Sequence, residues 1–449
     1  MSHKIASIVL AAGKGTRMKS ALPKVMHNLG GIPMIHHVVN SCREAVIDDI
    51  FVVIAENMDD MAKAVAPCKA IIQKNQNGTG GAVMAARGAL KDFDGSILIL
   101  AGDVPFIRPE TLKSLVNASR ETGLAVLGFE AANPTGYGRL MTKFKDSVSE
   151  IVEDCDCSLD QKKVTLCNAG HFCVDGRHLF QWLEKINNDN AQGEYYLTDI
   201  VAVAAAEGIA CKLVTVPEDE VMGINSRVQL AQAEDILQTR LRLAAMENGV
   251  TMVDPSSVYL CADTVLAADV IIEPHVFFGA GVTIGTGSTI HSFSYVEGVK
   301  IGERVSIGPF ARIRPKSVIG DDSYIGNFVE VNRSELKAGS KSKHMSYLGD
   351  VTVGEKSNIG AGTVFANYDG YNKCPTTLGQ NVFIGSNSTI VSPVTIGDGA
   401  YIAAGSTMTV DIEADALAIA RNRPVIREGW AAERRARLVK EKKEKKEWE

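Results

Sequence analysis

Along the second half of the chain aliphatic residues recur every six positions, and that period constrains the fold more than any other feature of the sequence. Ile301, Ile307, Ile313, Ile319, Ile325 and Val331 form an unbroken row. Ile272, Phe278, Ile284, Ile290 and Val296 keep the same step one residue out of phase, and Leu378, Ile384, Ile390, Ile396, Ile402 and Met408 resume it. Glycine follows the row position directly at 285, 302, 308, 320, 326, 354, 360, 379, 385 and 397. A hexapeptide period predicts a parallel β-helix of triangular coils, three short strands to a coil, with the aliphatic side chain pointing inward. Coils stacked at about 4.8 Å bond to one another through their backbones, and small residues suit the tight corners. One stretch breaks the period. Residues 365–378, containing Asn367-Tyr368-Asp369-Gly370-Tyr371-Asn372, are expected to loop out of the stack, as functional inserts on solenoids do.

The first half follows another pattern. Apolar runs at 5–10, 50–54, 70–73, 96–100 and 124–129 are strand-sized, and helical spacing fills 33–45, 80–90 and 109–120. This alternation predicts a Rossmann-like α/β domain on a mostly parallel sheet, with ligands beyond the carboxyl ends of its strands. Between the halves, Arg227–Glu247 is a polar-rich helical stretch without glycine or proline, read as a connector. The expected organisation is a nucleotide-handling domain over 1–226, a linker helix over 227–250, a β-helix over 251–430 and a charged tail over 431–449. In the tail, 433–449 reads as a solvated, partly helical charge run, and Trp430 before it either meets a ligand or caps the last coil.

Charge and cysteine usage exclude several classes. A net charge of −6 leaves no basic excess to neutralise a duplex, which argues against a general nucleic-acid binder. Nine cysteines in no regular framework predict reduced thiols. Cys155-Asp156-Cys157 and the pair Cys167 and Cys173 lack zinc spacing. The apolar run after Lys4 stops after eight residues, at the low edge for a secretory signal, and no other run approaches a membrane span. A cytoplasmic protein without a membrane span is expected.

The strand at 5–10 runs into Ala11-Ala12-Gly13-Lys14-Gly15-Thr16-Arg17-Met18, followed by Leu22-Pro23-Lys24. A dinucleotide fingerprint needs glycine where Met18 stands, and a Walker loop needs Gly-Lys-Thr closing a longer loop. What remains is a glycine-rich turn whose amides can hold phosphate oxygens, with Arg17 and Lys24 adding positive charge. Asp103, just past the run at 96–100, stands where a metal-binding carboxylate belongs. These residues resemble the sugar-phosphate nucleotidylyltransferases. The resemblance extends in order through Gln73, Gly78-Thr79, Ala101-Gly102-Asp103, Gly136-Tyr137-Gly138-Arg139, Ile151-Val152-Glu153, Asn168-Ala169-Gly170, Glu194-Tyr195-Tyr196-Leu197-Thr198-Asp199 and Gly223-Ile224-Asn225. With the hexapeptides added, the whole chain is similar to the bacterial family of bifunctional N-acetylglucosamine-1-phosphate uridylyltransferases and glucosamine-1-phosphate N-acetyltransferases, which serve peptidoglycan and lipopolysaccharide synthesis.

The resemblance implies that Mg²⁺ is held by Asp103 and Asn225, both hard oxygen donors. It implies contacts to the nucleotide sugar from Leu10, Ala11, Ala12, Gly13, Lys24, Gln73, Gly78, Thr79, Ala101, Gly102 and Asp103, and to the sugar from Gly138, Glu153 and Asn168, with Arg17 and Lys24 catalytic. The chemistry agrees. A sugar phosphate, with a second pKa of about 6, is already anionic, so attack on UTP needs in-line positioning and charge neutralisation, not a base.

The repeats by themselves leave acyl transfer and a purely structural role both open. His344, in a segment with Tyr347, Lys341 and Lys343, favours the first. Attack on acetyl-CoA requires a neutral amine, and an imidazole of ordinary pKa, about 6.5, is suited to removing the proton. The resemblance makes His344 that base and sets Arg314, Asn332, Tyr347 and Asn358 on the sugar phosphate. It sets Ala361, Asn367, Tyr368, Ser386, Ala404 and Arg421 on acetyl-CoA, and implies a left-handed β-helix in a homotrimer with clefts between subunits. One residue departs from the pattern: after Phe328-Val329-Glu330-Val331 the family has a lysine, and this chain has Asn332, then Arg333. A lost charge-assisted contact costs up to about 1.5–3 kcal/mol, and Arg333 lies one step around the strand; Lys337, Lys341 and Lys343 are candidates to compensate. Two rivals stand beside this reading. A nucleotidylyltransferase with a structural or regulatory β-helix is opposed by His344 and the Asn-Tyr insert. A trimeric scaffold with a vestigial nucleotide domain is opposed by Arg17, Lys24, Asp103 and Asn225.

Overall fold

The structure is a computed structural model that describes residues 3–13, 15–47, 49–144 and 146–446; Lys14 of the glycine-rich turn and the last three residues of the charged tail lie outside the described residues. The chain divides into two compact units, Met1–Ala244 with Leu260–Ala262, and Ala245–Tyr259 with Asp263–Glu449.

The first unit is built on a nine-stranded sheet. Lys69–Gln73, Asp49–Ala55, Ile5–Leu10 and Ser96–Ala101 lie side by side, all parallel. These are the runs expected from sequence; the inner three are largely apolar because both faces are covered, whereas the edge strand Lys69–Gln73 leaves Lys69, Ala70 and Ile72 exposed. Ile8, Val53, Ile97 and Ile99 pack on one face, Val9, Val52, Leu98 and Leu100 on the other. Beyond Ser96–Ala101 the sheet turns mixed. Leu166–Asp175 pairs antiparallel with both Ser96–Ala101 and Leu124–Glu130; Cys211–Thr215, Ser147–Val152 and Arg139–Phe144 complete the order. Cys211–Thr215 is again parallel to Leu124–Glu130, so only Leu166–Asp175 and Ser147–Val152 run against the rest and the sheet is mostly parallel, as expected. The four strands that follow Leu124–Glu130 in the chain carry polar and glycine positions that conceal them in the sequence. The helical stretch expected at 80–90 is two short helices, Thr79–Met84 and Arg87–Leu90.

The connector Arg227–Glu247 is a helix over its whole expected length. It is also part of the first unit's packing. Ala233 and Leu237 join Leu29, Met34, Phe106 and Ile224 in a small apolar cluster, and Gln238 exchanges hydrogen bonds with the backbone of Leu260, Nε2 to O at 2.6 Å and N to Oε1 at 2.9 Å.

In the second unit three parallel sheets of ten, eight and eight strands run along the stack, the faces of a left-handed parallel β-helix. One internal column reads Ile272, Ile290, Ile307, Ile325, Ser342, Ile359, Ile384, Ile402, each paired with the next. The steps are 18 or 17 residues, so the one-residue phase slip in the sequence is a corner one residue shorter. Only Ile359 to Ile384 takes 25. The loop-out is tighter than 365–378, for Phe365 and Leu378 are buried in the stack and Asn367 is nearly so. Residues 368–373 form the one unbroken exposed run of this stretch, closed by a Tyr368–Lys373 bridge and by Asp369 Oδ1, which accepts from Tyr371 N and Asn372 N at 2.7 and 2.6 Å. Trp430 opens an exposed helix, Trp430–Lys446. Among the described residues no helix is long and apolar enough to cross a membrane.

Candidate active sites

At the carboxyl end of the first unit's parallel strands, backbone bonds fix the loop that follows Ile5–Leu10. Ala11 N donates to Val53 O at 2.9 Å and Gly102 N to Leu10 O at 3.0 Å, so the loop is held to both neighbouring strands. Gly15 has φ +58° and lies so close to Lys24 that a Cβ there would stand 2.7 Å from Lys24 Cβ; only glycine permits both. This approach delivers Lys24 to the strand ends. Its Nζ is ion-paired with Asp103 Oδ2 and donates to Asn225 Oδ1 at 2.9 Å, and Arg17 Nη2 donates to the same oxygen at 3.0 Å. Ile224 N donates to Asp103 O at 2.9 Å, and Asn225 N to Gln229 Oε1 at 2.9 Å. Four residues from three distant segments of the sequence thus form one cluster of two cations and two oxygen donors, with Lys24 and Asp103 mostly shielded from solvent. Around a bound triphosphate, such a cluster neutralises charge without supplying a base.

Of the expected nucleotide-sugar residues, Gln73 lines a cavity of about 480 Å³ together with Ala55, Glu56, Asn75, Gln76 and Asn77, and Gly78 and Thr79 follow directly in the chain. Gln73 Nε2 donates to Asn75 O at 3.0 Å. Gly78 (φ +106°) leaves no room for a side chain, since a Cβ would meet Tyr195 O at 2.6 Å. Thr79 Oγ1 accepts from Leu197 N at 2.9 Å. The expected sugar contacts also form a group: Asn168 N donates to Gly138 O at 2.8 Å, and Gly138 leaves 3.3 Å between a Cβ and Glu153 Oε2. Burial raises the Glu153 carboxyl above its usual range, against the hydrogen bond it accepts from Thr198 Oγ1 at 3.1 Å. Sequence reasoning passed over Gln76, whose Nε2 reaches Ala12 O at 2.8 Å and ties the cavity wall to the glycine-rich loop. Its position between Gln73 and Gly78 was the available signal.

In the second unit His344 ends the strand Lys341–His344, exposed at a corner. Its Nδ1 lies 2.7 Å from Asn327 Oδ1. An amide oxygen only accepts, so Nδ1 carries the proton and the Nε2 lone pair is left for a substrate. Asn327 was missed from sequence, yet it is one coil before His344 at the same register position. The same arithmetic continues in the other direction. Gly362 N bonds to His344 O, Asn387 N to Ala361 O, Gly405 N to Ser386 O, and a Cβ on Gly405 would stand 3.7 Å from Arg421 Cδ. His344, Ala361, Ser386, Ala404 and Arg421 therefore follow one another down a single edge: a base, three small residues and a cation over four coils, about 19 Å at the usual strand spacing.

On the adjoining face Arg314 Nη1 pairs with Glu330 Oε1 at 3.0 Å, and Glu330 is in register with Tyr347. Asn358 is in register with Lys341. Asn332 is buried, and Arg333 turns from the strand at φ +50° to pair with Asp350. Tyr368 is exposed on the insert.

The MobA-like NTP transferase domain model matches residues 7–199, and the bacterial transferase hexapeptide model matches residues 298–333 and 375–409. The chain is 52% identical over 442 residues to the bifunctional protein GlmU of Parvibaculum lavamentivorans, covering 97% of this chain and 98% of the relative. It is 48% identical over 438 residues to that of Rhodospirillum rubrum, with the same coverage. With that of Paramagnetospirillum magneticum it shares 45% over 447 residues, 99% of each.

Proposed function

The chain belongs to the family of bifunctional GlmU proteins, and on that premise we infer where each of its two reactions takes place. It is a transferase with two activities: it acetylates glucosamine 1-phosphate from acetyl-CoA, then joins the product to UTP, releasing pyrophosphate and forming UDP-N-acetylglucosamine for cell-wall synthesis.

Uridylyl transfer belongs to the cluster Arg17, Lys24, Asp103 and Asn225. The sugar phosphate attacks the α-phosphate as an anion, and Arg17 and Lys24 offset the charge that accumulates there. Glu153 and Asn168 orient the sugar. Asp103 and Asn225 suit a resident Mg²⁺, because both oxygens already converge on one cation, the Lys24 ammonium. Among the described residues no set of three or more His, Cys, Asp or Glu forms a closed metal cage, which fits an ion that takes its remaining ligands from phosphate and water. Bound there, Mg²⁺ supplies charge neutralisation and orientation of the triphosphate.

Acetyl transfer belongs to the His344 edge. His344 Nε2 takes a proton from the substrate ammonium, the freed amine attacks the thioester carbonyl, and the CoA thiolate leaves. The observation that carries this assignment is the edge itself: small residues from Ala361 to Ala404 leave a track for a long, thin acyl carrier, ending at Arg421 for its phosphates. We further propose a homotrimer and a cytoplasmic location. The first is supported by an exposed apolar ladder, Phe293, Phe310, Phe328 and Met345, the rings stacked 5.0 and 5.2 Å apart; the second by nine cysteines that form no disulfide among the described residues.

The test is to mix the chain with glucosamine 1-phosphate and acetyl-CoA, without UTP, and follow free thiol. Release that requires the sugar phosphate is the expected result. No release beside normal UTP-dependent pyrophosphate formation would leave the β-helix a structural module.

A further inference from the structure

At one corner of the coil stack Asp350 collects donors from the two neighbouring coils. Arg333 Nε reaches Asp350 Oδ1 at 2.7 Å and Nη2 reaches Oδ2 at 2.8 Å, a two-pronged pair. Asn367 Nδ2 donates to the same Oδ2. Arg333 Nη1, the remaining prong, donates to Asn332 Oδ1 at 3.1 Å. A guanidinium has only donors, so the Asn332 amide must turn its oxygen toward Arg333 and its nitrogen away. Among the described residues that nitrogen has no hydrogen-bond partner. The backbone locks the arrangement: Asn332 is in register with Gly349, and Asp350 N donates to Asn332 O at 3.0 Å. Gly349 is bare for a reason, since a Cβ there would stand 2.6 Å from Tyr347 Oη and 2.7 Å from Asn367 Nδ2. The guanidinium holds the Asp350 carboxyl below its usual range, which keeps the hub anionic. Asn332 and Tyr347, assigned above to the sugar phosphate, and Asn367, assigned to acetyl-CoA, are thus packed around a carboxylate that belongs to neither subsite.

We propose that Arg333 and Asp350 are positioning residues that couple the two substrate subsites of the acetyltransferase. Arg333 turns the Asn332 amide nitrogen toward the sugar phosphate, where it serves as a neutral donor, and Asp350 fixes Asn367 for the acyl carrier. Loosening one subsite loosens the other. The proposal rests on the subsite assignments of the preceding section.

The experiment is steady-state acetyl transfer by the full chain, read as CoA thiol, for Arg333→Met, Arg333→Lys, Asp350→Asn and the double variant Arg333→Met/Asp350→Asn. Uridylyl transfer and the thermal midpoint are measured alongside. Asp350→Asn is expected to raise KM for both substrates, roughly tenfold. Arg333→Met raises both by roughly fivefold, although Arg333 touches no residue assigned to acetyl-CoA. Arg333→Lys keeps the charge but not the fork, and falls between wild type and Arg333→Met. The double variant is no worse than Asp350→Asn. A rise in KM for the sugar phosphate alone, or effects that multiply in the double variant, overturns the coupling. Should the ion-pair variants lower the thermal midpoint, Asn367→Ala decides: it leaves the Arg333–Asp350 pair and every sugar-phosphate residue in place, so KM for the sugar phosphate rises along with that for acetyl-CoA if the coupling is real and stays unchanged if it is not. A wild-type chain that releases no thiol overturns the subsite reading and the proposal together. An active wild type with unchanged KM in every variant overturns the proposal alone.

Discussion

The two candidate sites are assembled in opposite ways. In the first unit Arg17, Lys24, Asp103 and Asn225 come from three separated loops, and only the folded sheet brings them within hydrogen-bond distance. In the second, Asn327, His344, Ala361, Ser386, Ala404 and Arg421 stand on consecutive coils, and a step of 17 or 18 residues leads from each to the next except across the insert. A solenoid turns sequence spacing into spatial position; an α/β sheet does not. The chemistry follows the same division. Loops can gather charges of both signs around a compact triphosphate, whereas a straight edge suits an extended carrier with its reactive end at one base.

The largest effects should separate the two sites completely. Asp103→Ala is expected to cut uridylyl transfer by about 10²–10³ and leave acetyl transfer unchanged. His344→Ala should do the reverse, by about 10²–10⁴. Both activities are measured on each purified variant, and loss of both in either one breaks the two-site picture.

Acid should separate the units by stability. His171, wholly buried in the first unit, has its pKa pushed down by burial to about 4. Unfolded, it returns to about 6.5, so between those values the unfolded chain takes up a proton that the folded one refuses. Stability is therefore full above pH 6.5 and falls as the pH drops toward 4, by at most about 3 kcal/mol. Burial also lowers His27 and His37, which adds in the same sense, while the raised Glu153 works the other way at lower pH. Urea melts followed by fluorescence of the buried Trp182 should show the first unit weakening from pH 7 to pH 4.5. His171→Gln keeps a side-chain donor and removes the titration, and it should flatten the dependence. An equally steep fall in His171→Gln would assign the effect elsewhere.

A smaller effect probes the rule of one coil per step. Asn327→Ala removes the bond that fixes the His344 ring. One hydrogen bond contributes about 1 kcal/mol, and 1.36 kcal/mol is a factor of ten in rate. Acetyl transfer should drop roughly five- to tenfold in kcat, with KM nearly constant, since binding groups are untouched. A change confined to KM would make Asn327 a substrate contact.

Legibility in the sequence follows the same contrast. The β-helix, its internal columns and its insert were readable because inward positions repeat. The inner parallel strands Asp49–Ala55, Ile5–Leu10 and Ser96–Ala101 were readable because, buried on both faces, they are nearly all apolar. Arg139–Phe144, Ser147–Val152 and Leu166–Asp175 were not, because one side of each carries polar residues and the pairing partners are distant. Individual site residues came from the family resemblance, but their partners did not. Gln76, Asn327, Glu330 and Asp350 acquire meaning only when the backbone sets them beside the residues they hold. Asn332 shows the limit most plainly: the missing lysine is visible in sequence, while the turned amide and the Arg333–Asp350 pair behind it are not.

The smallest prediction concerns the one place where the internal column breaks its own rule. Ser342 occupies a core position between Ile325 and Ile359, fully buried, and its hydroxyl has no hydrogen-bond partner. Its coil cannot turn the side chain outward, because a one-residue slip would expose Lys341 and Lys343 to the core in its place. The hydroxyl is therefore desolvated with nothing in return, at a cost of about 1 kcal/mol or more. Ser342→Ala removes the oxygen and adds no bulk, so the β-helix should gain about 1 kcal/mol, seen as a higher denaturant midpoint by far-ultraviolet circular dichroism. A lower midpoint would mean that the hydroxyl has a partner in solution, an internal water being the simplest. The column would then be interrupted at the coil of His344 by a hydrated position instead of an unsatisfied one.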